Sequence, residues 1–129
     1  MEIKNNPVGW FELYVDDMNR ARKFYSAVFG FEMQNAEVPA GMDEMQMVFF
    51  PSSQTGDGCP GALVKMEGVK PGGCGTMIYF RCEDCATEES RVEKAGGKVI
   101  RGKFSIGNYG FCSLVADTEG NIIGLHSMK

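Results

Sequence analysis

The feature of this sequence that most restricts its fold is an internal repeat. An aspartate before a helical pattern and a glycine after it occur twice, and an offset of 67 residues (84 − 17) carries Asp17 onto Asp84 and Gly30 onto Gly97. The strand before each aspartate keeps its apolar face at the same offset. The apolar pairs are Phe11 with Ile78, Leu13 with Phe80 and Val15 with Cys82. We therefore expect two copies of one structural unit.

Each copy is predicted to contain a strand, a helix and three further strands. The first copy covers about residues 8–66, a linker covers about 67–75, and the second copy covers about 76–128 of one domain, 1–129. The predicted strands are 10–15, 31–38, 45–50 and 61–66, then 76–82, 98–105, 111–116 and 121–128. The predicted fold is α+β, with two tandem βαβββ units that form a curled mixed sheet around a cleft.

The two predicted helices begin at aspartate caps. Asp17 precedes apolar residues at helical spacing, and Gly30 ends that helix. The second helix is expected to begin at Asp84, to run to about Ala95, and to end at the glycine pair 96–97. Its apolar positions are few, and the expected buried ones are Ala86, Val92 and Ala95.

Composition excludes several classes of protein. A net charge of −4 and a pI near 5.0 argue against a nucleic-acid partner, which requires a basic surface. No apolar run is long enough to span a membrane. The first seven residues lack the apolar region of a signal peptide, and the five cysteines then indicate reduced thiols and a cytoplasmic location.

Several stretches resemble the vicinal oxygen chelate superfamily, which includes glyoxalase I, the bleomycin and fosfomycin resistance proteins and the extradiol dioxygenases. The matching stretches are 11–17, 21–31, 61–65 and 117–127. The chain is most similar to the single-domain, glyoxalase-like members. The resemblance implies adjacent first strands, a shared cleft for a small molecule and a homodimer. Whether the units pair within one chain or exchange between two stays open.

The resemblance also implies positions for a metal. Metal-dependent members carry His, Glu or Gln ligands on the first and fourth strand of each unit. In this sequence those positions fall on Trp10, Ala62, Met77 and Gly124. None of the four supplies the oxygen or imidazole donor that a divalent cation prefers. We therefore expect no tightly held metal cofactor.

Strand alternation predicts which side chains face the cleft. If the apolar face of each first strand packs under its helix, the other face points into the cleft. His126, the only histidine, lies on the last strand, and Glu12 lies on the first. A carboxylate can orient an imidazole for proton transfer near neutral pH, so these two are the predicted catalytic pair. The alternative is a solvated Glu12 and a surface His126.

Other cleft-facing residues are predicted to bind the ligand. They are Trp10, Tyr14, Met77, Tyr79 and Arg81. The aromatic and apolar side chains suit a flat or apolar molecule, and Arg81 suits a carboxylate or phosphate. The alternative for the four uncharged residues, Met77 above all, is packing between the units. The alternative for Arg81 is a solvated charge or a pair with Glu83 or Asp84. The spacing Cys82-x-x-Cys85 is interpreted as coincidence, since two further zinc donors are missing.

The predicted function is therefore binding of a small molecule without a metal, with proton transfer or isomerisation by Glu12 and His126. One alternative is a non-catalytic protein that sequesters its ligand, as bleomycin resistance proteins do. A second alternative is a divalent-metal lyase or dioxygenase whose ligands have relocated, for example to Glu12 and His126.

Overall fold

A computed structural model describes residues 3–42, 44–73 and 75–129; Met1, Glu2 and Cys74, which entered the predictions above, lie outside these ranges. The described chain contains two helices and eight strands in the order βαβββ–βαβββ, which confirms the α+β class and the repeat. The elements are β1 Val8–Tyr14, α1 Met18–Phe29, β2 Gln34–Asn35, β3 Gln46–Phe49, β4 Ala62–Lys65, β5 Thr76–Arg81, α2 Cys85–Val92, β6 Lys98–Ser105, β7 Phe111–Ala116 and β8 Ile122–Ser127. Within the described ranges, no helix is long and apolar enough to cross a membrane.

The chain divides into two compact units. The first unit comprises residues 10–77, and the second unit comprises residues 78–129 with the N-terminal segment that ends at Gly9. In the first unit the strands lie in the order β2-β3-β4-β1, with β1 and β4 parallel. In the second unit the order is β5-β8-β7-β6, with β5 and β8 parallel.

Helix α1 forms as the sequence predicts. The Asp17 carboxylate accepts a hydrogen bond from the backbone N–H of Arg20 at 3.0 Å, and Gly30 closes the helix with φ of 70°. That hydrogen bond also holds the pKa of Asp17 below its ordinary value. Only glycine adopts such a positive φ without steric cost, so the chain turns away at this residue.

The core of the first unit lies between α1 and one face of its sheet, which we call the helix face. Leu13, Leu63 and Val48 stand side by side on β1, β4 and β3. Leu63 is fully buried, and Val48 is nearly so. The predicted apolar face of β1 packs against this core, as Phe11, Leu13 and Val15 all contact it. The opposite face, which we call the open face, is therefore left to carry the polar residues of β1.

Helix α2 is shorter than predicted. It ends at Val92, and the chain makes turns to Gly96 instead of continuing to Ala95. The expected buried residues Ala86 and Ala95 are exposed, while Cys85 is fully buried. Short helices depend on tertiary contacts more than on propensity, and α2 lacks apolar residues that would hold a third turn.

The second unit has the same layering as the first. Cys85, Val115 and Leu125 form its core on the helix face, and Phe80 and Cys82 pack against it. Ser127 supports the start of α2, because its hydroxyl accepts a hydrogen bond from the backbone N–H of Cys85 at 2.9 Å.

Five strand predictions were too long. The predicted strand 31–38 contains only the two-residue β2, and the predicted strands 45–50, 61–66, 76–82 and 121–128 each exceed the observed strand by one or two residues. Strand β1 begins two residues earlier and ends one residue earlier than the predicted strand 10–15. Arg22 holds the chain next to β2, because its guanidinium donates hydrogen bonds to the carbonyl oxygen of Met33 and to the side chain of Asn35. The described residues of the predicted linker 67–75 contain no helix or strand.

Candidate active site

The open face of the first unit carries three of the predicted site residues. Trp10, Glu12 and Tyr14 alternate with the core residues of β1 and therefore point away from α1. Glu12 lies opposite Ala62 on β4, and Tyr14 lies opposite Val64. The predicted neighbours on β1 thus share one surface within a single compact unit.

Glu12 is held in one orientation. Glu12 is only 8% exposed, and its Oε1 accepts a hydrogen bond from the Tyr14 hydroxyl at 2.9 Å. The ring of Trp10 meets the ring of Phe49 edge to face, with centroids 5.5 Å apart. A carboxylate on such an apolar surface is partly shielded from water and is aimed by a specific donor.

Two residues of this face were missed from the sequence. Phe49 lies opposite Ala62, and Met47 lies opposite Val64, so both extend the row that starts on β1. Alternation within β3 would have placed them on the open face, because Val48 between them is in the core. The missing information was the antiparallel register that brings β3 beside β4.

The open face of the second unit carries three more predicted residues. Tyr79 lies opposite Gly124, and Arg81 lies opposite His126, so the predicted neighbourhood of His126 and the Tyr79 strand is confirmed. The Tyr79 ring occupies the space where a Cβ on Gly124 would stand. Glycine at 124 therefore allows the aromatic ring to lie flat on β8.

His126 has a defined tautomer when neutral. Its Nε2 lies 2.6 Å from the carbonyl oxygen of Tyr109. A carbonyl oxygen only accepts, so Nε2 carries the hydrogen and Nδ1 is the remaining nitrogen for a ligand. Glu12 belongs to the first unit and His126 to the second, and their pairing stays a prediction. Met77, half-buried on β5, belongs to the first unit.

Comparison with known families agrees with this architecture. A family model described as the glyoxalase/bleomycin resistance protein/dioxygenase superfamily matches residues 8–125. The chain belongs to this superfamily. Its curated relatives include a candidate glyoxylase, CFP32, from Mycobacterium tuberculosis, which is 27% identical over 96% of this chain. The match covers 46% of that relative, so the chain spans about half its length.

Two further comparisons cover most of both chains. A glyoxylase-like domain-containing protein from Didymella fabae is 30% identical over 92% of this chain and 91% of its own. The crystal structure of methylmalonyl-CoA epimerase from Mycobacterium tuberculosis has a TM-score of 0.66, with 13% identity over 95% of this chain and 88% of that one. At this identity the epimerase establishes a shared fold.

The four superfamily metal positions do not fit a divalent cation here. Ala62 is fully buried, and the Tyr79 ring covers Gly124. The side chains of Trp10 and Met77 provide no hard donor. Among the described residues, no group of three or more His, Cys, Asp or Glu side chains is arranged to hold a metal ion.

The Cys82-x-x-Cys85 spacing belongs to the core of the second unit. Cys85 is fully buried, and Cys82 packs against the core. Burial, followed by the charge and hydrogen bond of Glu88, raises the pKa of the Cys82 thiol to about 12. A thiol that stays protonated at neutral pH is a poor nucleophile and a poor metal ligand.

A separate open depression of about 640 Å³ lies at the start of α1 in the first unit. Its lining includes Asp16, Arg22 and Lys65 but none of the predicted site residues. The guanidinium of Arg22 is already hydrogen-bonded to Asn35 and Met33, so this cation is committed to holding the chain.

Proposed function

We propose that this protein binds a small organic molecule and transfers a proton at a carbon next to its carbonyl group, with Glu12 as the base. The observation that carries the proposal is the Tyr14 hydroxyl at 2.9 Å from the carboxylate of Glu12, a residue only 8% exposed. A fixed carboxylate with restricted access to water suits abstraction of a weakly acidic proton.

The proposed reaction needs no redox partner. Glu12 takes the proton, and the electron pair of the broken C–H bond moves into the carbonyl as an enolate. His126, as the imidazolium, is assigned the return of a proton to the substrate, which completes an isomerisation or epimerisation. Trp10 and Tyr14 are assigned contacts with the apolar part of the ligand, as are Met77 and Tyr79.

The named relatives support the class of reaction. The structural neighbour from Mycobacterium tuberculosis is named an epimerase, and epimerisation at such a carbon requires removal and return of a proton. The substrate in that name is not carried over to this chain. The proposal concerns the type of bond that breaks.

Deuterium exchange tests the proposal before the natural substrate is known. The protein is incubated in D₂O with a panel of 2-oxo acids, hydroxyketones and acyl thioesters, and exchange next to the carbonyl is followed by NMR. Glu12→Gln should lower the exchange rate about 10²–10⁴-fold, and Tyr14→Phe should lower it less. The matched control Glu67→Gln changes an exposed carboxylate of the same unit and should leave the rate unchanged.

Ligand binding is measured separately through Trp10, the only tryptophan. Ligands that bind wild-type protein with no exchange for any carbon acid would contradict proton transfer and favour the sequestering alternative. Equal rates for wild type and Glu12→Gln would exclude Glu12 as the base. A double variant of Glu12 and His126 that is no slower than the worse single variant would show that the two groups act together in one catalytic sequence.

The proposed assembly is a homodimer, in a reducing, cytoplasmic environment. Helix α1 exposes 58% of Phe24, 57% of Val28 and 61% of Phe29, an apolar surface that favours association. Light scattering after size exclusion should give twice the mass of the chain for wild type. The double variant Phe24→Glu with Val28→Glu should give the mass of one chain. A monomeric wild type at micromolar concentration would refute the dimer.

A further inference from the structure

The open face of the second unit carries positive charge that no acidic residue of that face balances. Two rows of this face run across β5, β8, β7 and β6. The first row is Arg81, His126, Cys112 and Phe104, and the second is Tyr79, Gly124, Leu114 and Arg101. Neither row contains Asp or Glu, although the whole chain has a net charge of −4.

Arg81 is exposed at the edge of the first row. Its side chain lies over Gly9, where a Cβ would overlap the Arg81 Nε and Cγ. The predicted alternatives for this cation were a solvated charge or a pair with Glu83 or Asp84, and the two pairs are wrong. Asp84 pairs with Lys103 at 2.9 Å, and Glu83 faces Lys129 at 3.8 Å. Among the described residues of the second unit, no carboxylate lies within 4.0 Å of Arg81.

Arg101 joins the same face because β6 is irregular. Residues three apart in a regular strand point to opposite faces, yet Arg101 and Phe104 lie opposite Leu114 and Cys112, which share one face. Register shifts on either side of Arg101 produce this arrangement. The guanidinium lies 3.7 Å from the centroid of the Phe104 ring, which holds the cation over the sheet.

His126 lies directly beside Arg81 in the first row. Because Nε2 is bound to the Tyr109 carbonyl, the ring is fixed in orientation and Nδ1 is the nitrogen left for a ligand. Arg81 and His126 lie on neighbouring strands, whose backbones are about 4.8 Å apart. That spacing suits two contacts to one carboxylate or phosphate group.

We infer that this face is a binding site for the carboxylate or phosphate group of a small organic anion. Arg81 makes the paired hydrogen bonds that a planar guanidinium offers to such groups, and His126, as the imidazolium, donates a further hydrogen bond from Nδ1. Arg101 lies three strands away from Arg81, at more than about 14 Å, and adds a small positive potential. The inference does not depend on proton transfer by Glu12, because every residue that carries it belongs to the second unit.

The experiment uses the full chain, with inorganic phosphate and malonate as separate probes. Histidine labelled with carbon-13 at Cε1 alone gives a single NMR signal, since His126 is the only histidine, and its shift is followed during each titration. Arg81→Gln should weaken binding about tenfold, and Arg101→Gln by less than about twofold, because solvent screens an exposed charge at that distance. Arg91→Gln, on the exposed surface of α2, removes the same charge and should leave binding unchanged.

A second variant moves Arg81 without removing it. Gly9→Ala places a methyl group against the Arg81 side chain and should weaken binding several-fold with little loss of melting temperature. Binding that shifts the His126 signal with one probe only identifies the preferred anion. No shift with either probe, or equal weakening by Arg81→Gln and Arg91→Gln, would overturn the inference.

Discussion

The contact most suited to a quantitative test joins α2 to the irregular strand of the second unit. Glu89 Oε1 accepts a hydrogen bond from the Ser113 hydroxyl at 2.7 Å and another from the backbone N–H of Lys103 at 2.6 Å. Ser113 is fully buried, so its hydroxyl depends on a protein partner. The carboxylate thereby holds β6 in the conformation that also directs Arg101 to the open face.

The cost of removing this carboxylate follows from its two donors. A hydrogen bond to a charged acceptor contributes about 1.5–3 kcal/mol, and an unsatisfied buried donor costs about 1–3 kcal/mol. Water can replace the partner of the half-buried Lys103, and the Arg101 carbonyl, 3.4 Å from Ser113 Oγ, offers a weak substitute acceptor. We therefore expect Glu89→Ala to lower the free energy of unfolding by about 2–3 kcal/mol.

Urea denaturation followed by circular dichroism measures this change. Glu89→Gln keeps one acceptor oxygen and should cost about 1 kcal/mol, while Glu93→Ala at the exposed end of α2 should stay within about 0.5 kcal/mol. In the Glu89→Ala background, Ser113→Ala should cost almost nothing further, because the orphaned hydroxyl is removed. A Glu89→Ala loss below about 0.5 kcal/mol, or full additivity with Ser113→Ala, would refute the reasoning.

Three further predictions concern single groups. The Lys103 ammonium, and then the Ala86 N–H, lower the pKa of Asp84 below 3.8. The stability that ionised Asp84 contributes is therefore present above that pH and is lost as pH falls through its pKa in the folded protein. In urea titrations from pH 6 to 3, the difference in unfolding free energy between wild type and Asp84→Asn should narrow, and a constant difference would contradict this. Because burial raises the pKa of Cys82 to about 12, its alkylation by iodoacetamide at pH 7.5 should be far slower than after unfolding, as read by mass spectrometry, and equal rates would contradict it. Gly124→Ala should displace the Tyr79 ring and lower stability by about 1–3 kcal/mol in urea titrations, and an unchanged midpoint would show that the ring moves freely.

Local sequence signals were sufficient where one residue determines the backbone. Asp17 and Gly30 bound α1 as predicted, because the cap and the left-handed glycine act within one turn. Strands β6 and β7 also have the predicted bounds, since turn residues flank them. These features depend on neighbours in the chain, which a single sequence contains.

The errors arose where distant contacts decide. Helix α2 ends early, and no local signal marks Val92 as its last residue. The irregularity of β6 depends on Glu89, which lies nine residues before the strand, and on Ser113, which lies in the next one. Phe49 and Met47 were missed for the same reason, because strand register is a long-range property.

The repeat explains how one scaffold carries two kinds of surface. At the 67-residue offset (79 − 12), Glu12 corresponds to Tyr79, and Tyr14 corresponds to Arg81. Both pairs occupy the open face of their sheets, while the helix faces keep apolar residues in both units. Core positions are constrained by packing, so substitutions destabilise the protein least on the face that packing does not constrain. A duplicated fold can therefore place a carboxylate on one copy and a guanidinium on the other without altering either core.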